Sequence, residues 1–391
     1  MNETVVASPR SNTVYAHTKN GFFGLSQLET FVNLNLEPYA KSKSQETLTL
    51  DFATVRVWDI AALLWMIVAL DHYRREAAVS FILRLPDGSP GMAVDDKDAF
   101  DKSADYLRRW RFDKGLKNIV ADVSSLLVRE QKDYFDPPEP RRFYKPSTIS
   151  GESGLLQSLM SRRLTEIRCL SDPSFSGSDP ISPGKISQCI KDFQAERIGD
   201  ILSAQCGIDK RTADLFADHI LTEALLNVQE HPNATIGMVA ISLMGRTGEL
   251  LLSVVDNGDS IPQTIYPRYL RDTGGPIAEY DRDALSNEER GKIAHHATKR
   301  GVTRKLVVES EKAGMGLTYI REDSVNTFHG KLTIITDRVR NTYVGNSEKE
   351  PETSQWSHEW RGNLLRIAIP VAKLSSEPRS EHSGPPTELR A

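Results

Sequence analysis

Residues 222–231 read Thr222-Glu223-Ala224-Leu225-Leu226-Asn227-Val228-Gln229-Glu230-His231, and the reading of the C-terminal half grows outward from them. They end a longer amphipathic pattern over Thr212–Glu230, with Leu215, Phe216, Ile220, Ala224, Leu225 and Val228 on one face and Pro232 marking the stop. Beside that apolar face runs a polar stripe, because His219, Glu223, Asn227 and His231 follow one another at four-residue steps. A solvated helix edge produces the same stripe, so the pattern predicts a helix without assigning it a task.

Two further signals follow. The apolar run Leu250-Leu251-Leu252-Ser253-Val254-Val255 predicts a strand that ends in Asp256-Asn257-Gly258-Asp259-Ser260-Ile261-Pro262. An ordinary strand entering an Asn-Gly turn would look alike. A carboxylate at a strand end can also accept a hydrogen bond from a buried exocyclic amine, and Gly258 would let a flat ring approach the backbone. Later, Gly314-Met315-Gly316-Leu317 precedes a predicted helix, Leu317–Phe328, which Gly330 ends before a strand over Lys331–Thr336. Glycines ahead of a helix let N–H groups converge on an anion at its positive dipole end, although a strained turn has the same composition. Between these signals lies a basic cluster, Lys299-Arg300-Gly301-Val302-Thr303-Arg304-Lys305, with Lys312 beyond it. It reads either as a solvated face or as a lid, roughly Thr264–Lys312, that closes over phosphates.

In order and spacing these pieces resemble the GHKL superfamily of gyrase B, the heat-shock chaperone of ninety kilodaltons, histidine kinases and MutL. Glu223 and Asn227 match its Glu-x-x-x-Asn box, Asp256 and Gly258 its Asp-x-Gly loop, and Gly314, Gly316 and Leu317 its Gly-x-Gly-Leu turn. The resemblance covers about residues 190–370. It implies a Bergerat fold, a mixed sheet covered by helices, with ATP and magnesium as cofactors. Glu223 would be the catalytic general base, Asn227 the magnesium ligand and Asp256 the partner of the adenine amine. The cofactor-binding set would be Asn227, Asp256, Gly258, Ile261, Thr303, Lys305, Gly314, Met315, Gly316 and Leu317. One position departs from the family: Ser260 stands where a second glycine is usual, which predicts a narrower pocket or an altered lid. The closing strand is expected at Leu364–Ile369 after Gly362-Asn363, and Val339–Arg361 reads as an insertion.

The N-terminal half is also α/β: a strand at Leu48–Leu50, a helix over Asp59–Arg75 and a buried strand over Val79–Leu85. Helices are expected at Asp98–Trp110 and Leu116–Val128, and the alternating Phe31–Leu36 predicts a short strand. Residues 45–125 resemble a STAS-like domain, the small fold of anti-sigma-factor antagonists, in element order but without the Asp-Ser-Ser-Gly type loop that carries that family's phosphorylated serine; Asp87-Gly88-Ser89-Pro90 stands about in its place. Proline and glycine density places boundaries so that 1–45 is an extension, 46–130 the STAS-like domain, 131–185 a linker, 186–373 the GHKL domain and 374–391 a disordered tail.

A formal net charge of -4 with 26% charged residues gives no general pull toward nucleic acid or anionic lipid. Cys169, Cys189 and Cys206 are too few and too scattered for a disulfide framework or thiolate zinc site, which predicts a reducing, cytoplasmic compartment. The apolar run Ala61–Leu70 is about half the ~20 residues of a membrane span and reads as a buried helix. Neither a Walker motif nor a phosphoacceptor His-Glu-x-x-Thr-Pro box occurs. Three functions follow: an ATP-driven switch acting on a protein partner or the chain's own N-terminal domain, with homodimerisation left open; a serine/threonine kinase of the anti-sigma-factor type, whose box Glu223 to His231 closely resembles; and a module that holds ATP without turnover.

Overall fold

The computed structural model describes residues 13–16, 22–41, 48–52, 54, 55, 57–76, 81–84, 162, 163, 168–170, 180–231, 233–244, 247–276, 278–302 and 315–373. In chain order the N-terminal elements are β1 (Thr13–Tyr15), β2 (Phe22–Phe23), α1 (Leu25–Phe31), α2 (Glu37–Lys41), β3 (Leu48–Asp51), β4 (Val57–Trp58), α3 (Ile60–Glu76) and β5 (Phe81–Arg84). Then come β6 (Arg162–Arg163), β7 (Arg168–Cys169), α4 (Pro183–Ala195), α5 (Ile198–Cys206), α6 (Lys210–Leu215), α7 (Thr222–Glu230), β8 (Gly237–Met244) and β9 (Glu249–Asp256). The last are α8 (Ile261–Thr273), α9 (Asn287–His296), α10 (Gly316–Glu322), β10 (Lys331–Val344) and β11 (Glu352–Pro370). The α/β class expected from the sequence holds. The helices expected at Asp98–Trp110 and Leu116–Val128, the tail and most of the expected linker 131–185 lie outside the described residues; the described parts of that linker include β6 and β7, which pair with β8 and so belong to the C-terminal sheet.

A large sheet in the order β10-β11-β9-β8-β6, with β7 also pairing to β8, carries the C-terminal half. Among the described residues every registered pair in it is antiparallel, and the parallel pairs lie in the N-terminal sheets, β1-β3-β5 and β2-β4. Antiparallel neighbours need only tight turns, and the short connection from β8 to β9 supplies one.

Strand periodicity then divides the side chains between two cores. Leu250, Leu252 and Val254 of β9, with Leu365, Ile367 and Ile369 of β11, pack under α6 and α7. Their neighbours Leu251 and Val255, with Leu364 and Ala368, face the other way and pack with Trp58, Trp65 and the body of α3. The run Ala61–Leu70 is buried on every side, which explains a helix without an amphipathic stripe. No helix among the described residues is long and apolar enough to cross a membrane.

One expectation is corrected here. Phe31–Leu36 is helical, continuing α1 through a π turn at Val32–Leu36. Phe31, Val32 and Leu36 are buried while Leu34 is 56% exposed, so the apparent alternation serves a helix face. The stretch Val339–Arg361, expected to be an insertion, forms the far part of one long hairpin of β10 and β11. Its polar residues are used internally: buried Asn341 donates to the Gly291 carbonyl at 2.9 Å, and Trp356 meets Trp65 edge-on at 5.4 Å. Register shifts around Asp337 account for the broken pattern in sequence.

Candidate functional site

Asp209 caps the helical stretch by accepting from the Thr212 N–H at 2.9 Å, and α6 runs through a π turn, Phe216–Leu221, into α7. The turn sits immediately ahead of Glu223, and π turns inside α-helices often mark functional sites. It also splits the polar stripe. His219 is drawn toward Asp323 of the helix that follows α10, with Nδ1 3.9 Å from Oδ2, and burial pushes the Asp323 carboxyl up from its ordinary value. Glu223, Asn227 and His231 remain on the side facing the sheet end and α10. The Asn227 amide donates through Nδ2 to the Glu223 carbonyl at 2.8 Å, which assigns its oxygen to the outward side of the amide.

Gly316 joins the third signal to the first. A Cβ built there would lie 2.9 Å from Glu223 Oε2 and 3.3 Å from Asn227 Oδ1, so glycine lets α10 begin directly against both side chains. Met315 is the residue before α10, and Leu317 lines the same cleft as Asn227, His231, Asp256 and Ile261. Gly314, Thr303 and Lys305 lie outside the described residues. The cleft bounded by these groups has a volume of about 20 Å³. A larger cavity, about 180 Å³, lies behind α7 among Phe193, Asp200, Lys210, Asp214 and Leu221, but holds none of the three motifs. We weigh the smaller one more heavily because chemistry, rather than size, converges there.

At its far end Asp256 is buried in a polar network. Oδ1 accepts from the Gly258 N–H at 2.9 Å and from Asn363 Nδ2 at 3.1 Å, while Oδ2 meets His231 Nδ1 at 2.9 Å. Asn363 Oδ1 accepts from the Ile261 N–H at 3.0 Å and from Thr336 Oγ1 at 2.6 Å, tying β10, β11 and the start of α8 together. Asn257 closes the turn by accepting from the Thr235 and Ile236 N–H groups at 2.9 and 2.8 Å. Gly362 brings β11 onto this turn, since a Cβ there would fall 1.9 Å from the Asp256 carbonyl oxygen.

Ser260 does not narrow the cleft. Its Oγ accepts from the Gln263 N–H at 3.4 Å and caps α8, so the serine has exchanged loop freedom for a helix start. The described part of the stretch expected to form a lid, Thr264–Lys312, is built of α8 and α9. Asp337, fully buried in β10, fixes that part through Arg282 at 3.1 Å, Arg290 at 3.3 Å and a hydrogen bond from the Tyr280 hydroxyl. Residues 303–314 lie outside the described part.

His231, Asn363 and Thr336 join the candidate site through the Asp256 network, although no sequence signal assigns them to it. His231 was visible as the end of the stripe and Asn363 beside Gly362, but only the register of β9, β10 and β11 places them on Asp256. Among known protein families, residues 212–355 match the model described as histidine kinase-, DNA gyrase B-, and HSP90-like ATPase. No curated protein and no solved structure gives a match. The match spans α6 to β11 and so contains Glu223, Asn227, Asp256 and Gly316; over those residues the chain is similar to that family, an ATP-binding domain of ATPase or kinase type.

Proposed function

We propose that this chain is a magnesium-dependent ATPase whose nucleotide cycle drives a conformational switch, acting on its own N-terminal layer or on a protein partner. The observation that carries the reading is the convergence at Gly316, where α10 begins against Glu223 and Asn227 while Asp256 stands at the other end of the same cleft. Asp256 and Gly258 would take the adenine, and the start of α10 at Met315, Gly316 and Leu317 would receive phosphate oxygens at its N–H groups.

The donor set fits magnesium. Among the described residues no group of three or more His, Cys, Asp or Glu side chains could hold a metal, which leaves one amide oxygen, Asn227 Oδ1, beside phosphate and water oxygens. Magnesium favours such a sparse, hard shell and would neutralise charge on the phosphates when bound. Glu223, one turn from Asn227, is placed to orient a water and take its proton. The buried links from β9 and β11 to α3, including Arg366 Nη2 to Asp59 Oδ2 at 3.3 Å, offer a route from cleft to N-terminal layer.

Incubating the full chain with γ-labelled ATP and magnesium tests the reading. Free labelled phosphate is the expected product; labelled protein would replace the ATPase by a kinase, and neither product would leave a nucleotide-holding module.

A further inference from the structure

The Asp256 network fixes the position of its own hydrogens. One amide atom of Asn363 faces two acceptors, Asp256 Oδ1 and the Asp259 carbonyl, so it is Nδ2, and Oδ1 faces the Ile261 N–H at 3.0 Å, a donor it shares with Thr336 Oγ1 at 3.0 Å. Nδ2 has two hydrogens, and two oxygens stand in reach, Asp256 Oδ1 at 3.1 Å and the Asp259 carbonyl at 3.0 Å. With both used, Asn363 has none left for His231 Nδ1, which lies 3.1 Å away. Nδ1 therefore carries its own hydrogen and donates it to Asp256 Oδ2 at 2.9 Å.

A carboxylate offers about four acceptor positions, two on each oxygen. Gly258 and Asn363 fill both on Oδ1, and His231 fills one on Oδ2. One remains. We propose that His231 is a positioning residue for base recognition: with Asn363 it clamps Asp256 so that a single acceptor position on Oδ2 is left for an exocyclic amine. This rests on the nucleotide reading above and deepens it, because it makes selectivity for a 6-aminopurine a property of His231 as well as of Asp256. The ring suits the task. His231 ends α7, with its N–H bonded to the Asn227 carbonyl at 3.1 Å, so the helix that presents Asn227 also aims the imidazole.

The test compares the full chain with His231→Ala and His231→Asn, the second retaining an N–H donor. Calorimetry would use ATP and purine riboside 5′-triphosphate, which has the same phosphates and ring but no 6-amino group. The expected result is a loss of about tenfold in ATP affinity for His231→Ala, the scale of one hydrogen bond to a charged group. Purine riboside triphosphate affinity should stay unchanged, and His231→Asn should regain much of the loss for ATP. ATP affinity that is unchanged or tighter in His231→Ala overturns the proposal, as does an equal loss for both nucleotides, which marks a merely structural histidine. Binding of neither nucleotide to any form, the parent included, overturns the nucleotide reading itself.

Discussion

The two faces of the large sheet are held by opposite physics. Against α3 the contact is apolar and deep, with Leu251, Val255, Leu364 and Ala368 meeting a helix that is buried all round. At the cleft end of the same strands the contacts are polar and directional, with Asp256 and Asn363 bonded at 2.6–3.1 Å to each other and to His231, Gly258, Asp259, Ile261 and Thr336. Dispersion and burial tolerate small shifts, whereas a network of this kind loses its function when one donor moves. The difference teaches where stability and chemistry reside: the N-terminal layer stabilises the sheet, and the sheet's end spends that rigidity on fixed donors and acceptors.

The sharpest way to break the comparison is to damage the apolar face and look at the polar one. Trp65 is fully buried against Trp356, and Trp65→Ala should cost about 3–5 kcal/mol through lost burial and the cavity left behind. Urea unfolding followed by fluorescence and, separately, by nucleotide binding should move together to lower urea. Loss of the α3 signal while nucleotide binding persists unchanged would mean that the two faces fold independently.

Much of this was legible in the sequence, for local reasons. Glu223 and Asn227 lie on one helix and Asp256 ends an unbroken apolar strand, so periodicity alone exposed them. Asn363 and His231 were not legible as site residues, because they reach Asp256 only through the pairing Asn363↔Asp256 and the end of α7. The hairpin of β10 and β11 was hidden by its charged residues, among them Arg340, whose partners are tertiary: it stacks 4.6 Å from the Trp356 ring and meets Glu29 at 3.3 Å. Distant partners of that kind leave no period in the chain.

On the polar face the largest expected effect is chemical. Glu223→Ala should reduce hydrolysis by ~10²–10⁴-fold with ATP affinity nearly unchanged, since a general base acts mainly in the transition state. Single-turnover phosphate release beside equilibrium binding separates the two, and parental hydrolysis in the variant would remove Glu223 from the mechanism. A smaller effect is expected for Asp256→Asn, which replaces a buried carboxylate acceptor by an amide that also brings an N–H toward His231 and Asn363. ATP affinity should weaken by about 1.5–3 kcal/mol with hydrolysis at saturation largely retained. Unchanged affinity would reduce Asp256 to a turn residue.

The finest probe is Gly316→Ala, because its two effects should have opposite signs. Alanine favours a helix over glycine by up to about 1 kcal/mol, and Gly316 opens α10, so stability should hold or rise slightly. The added methyl, however, would press within 2.9 Å of Glu223 Oε2 and 3.3 Å of Asn227 Oδ1, and both must move by a few tenths of an ångström. Oε2 is the end of a flexible side chain and can yield without unfolding anything. A general base displaced by that amount still works, but less often in the productive geometry, so turnover should fall roughly 3–10-fold while the melting temperature stays level or climbs. A turnover equal to the parent's would mean that the contact at Gly316 has no part in catalysis, and a melting temperature several degrees lower would mean that the glycine serves the fold instead of the site.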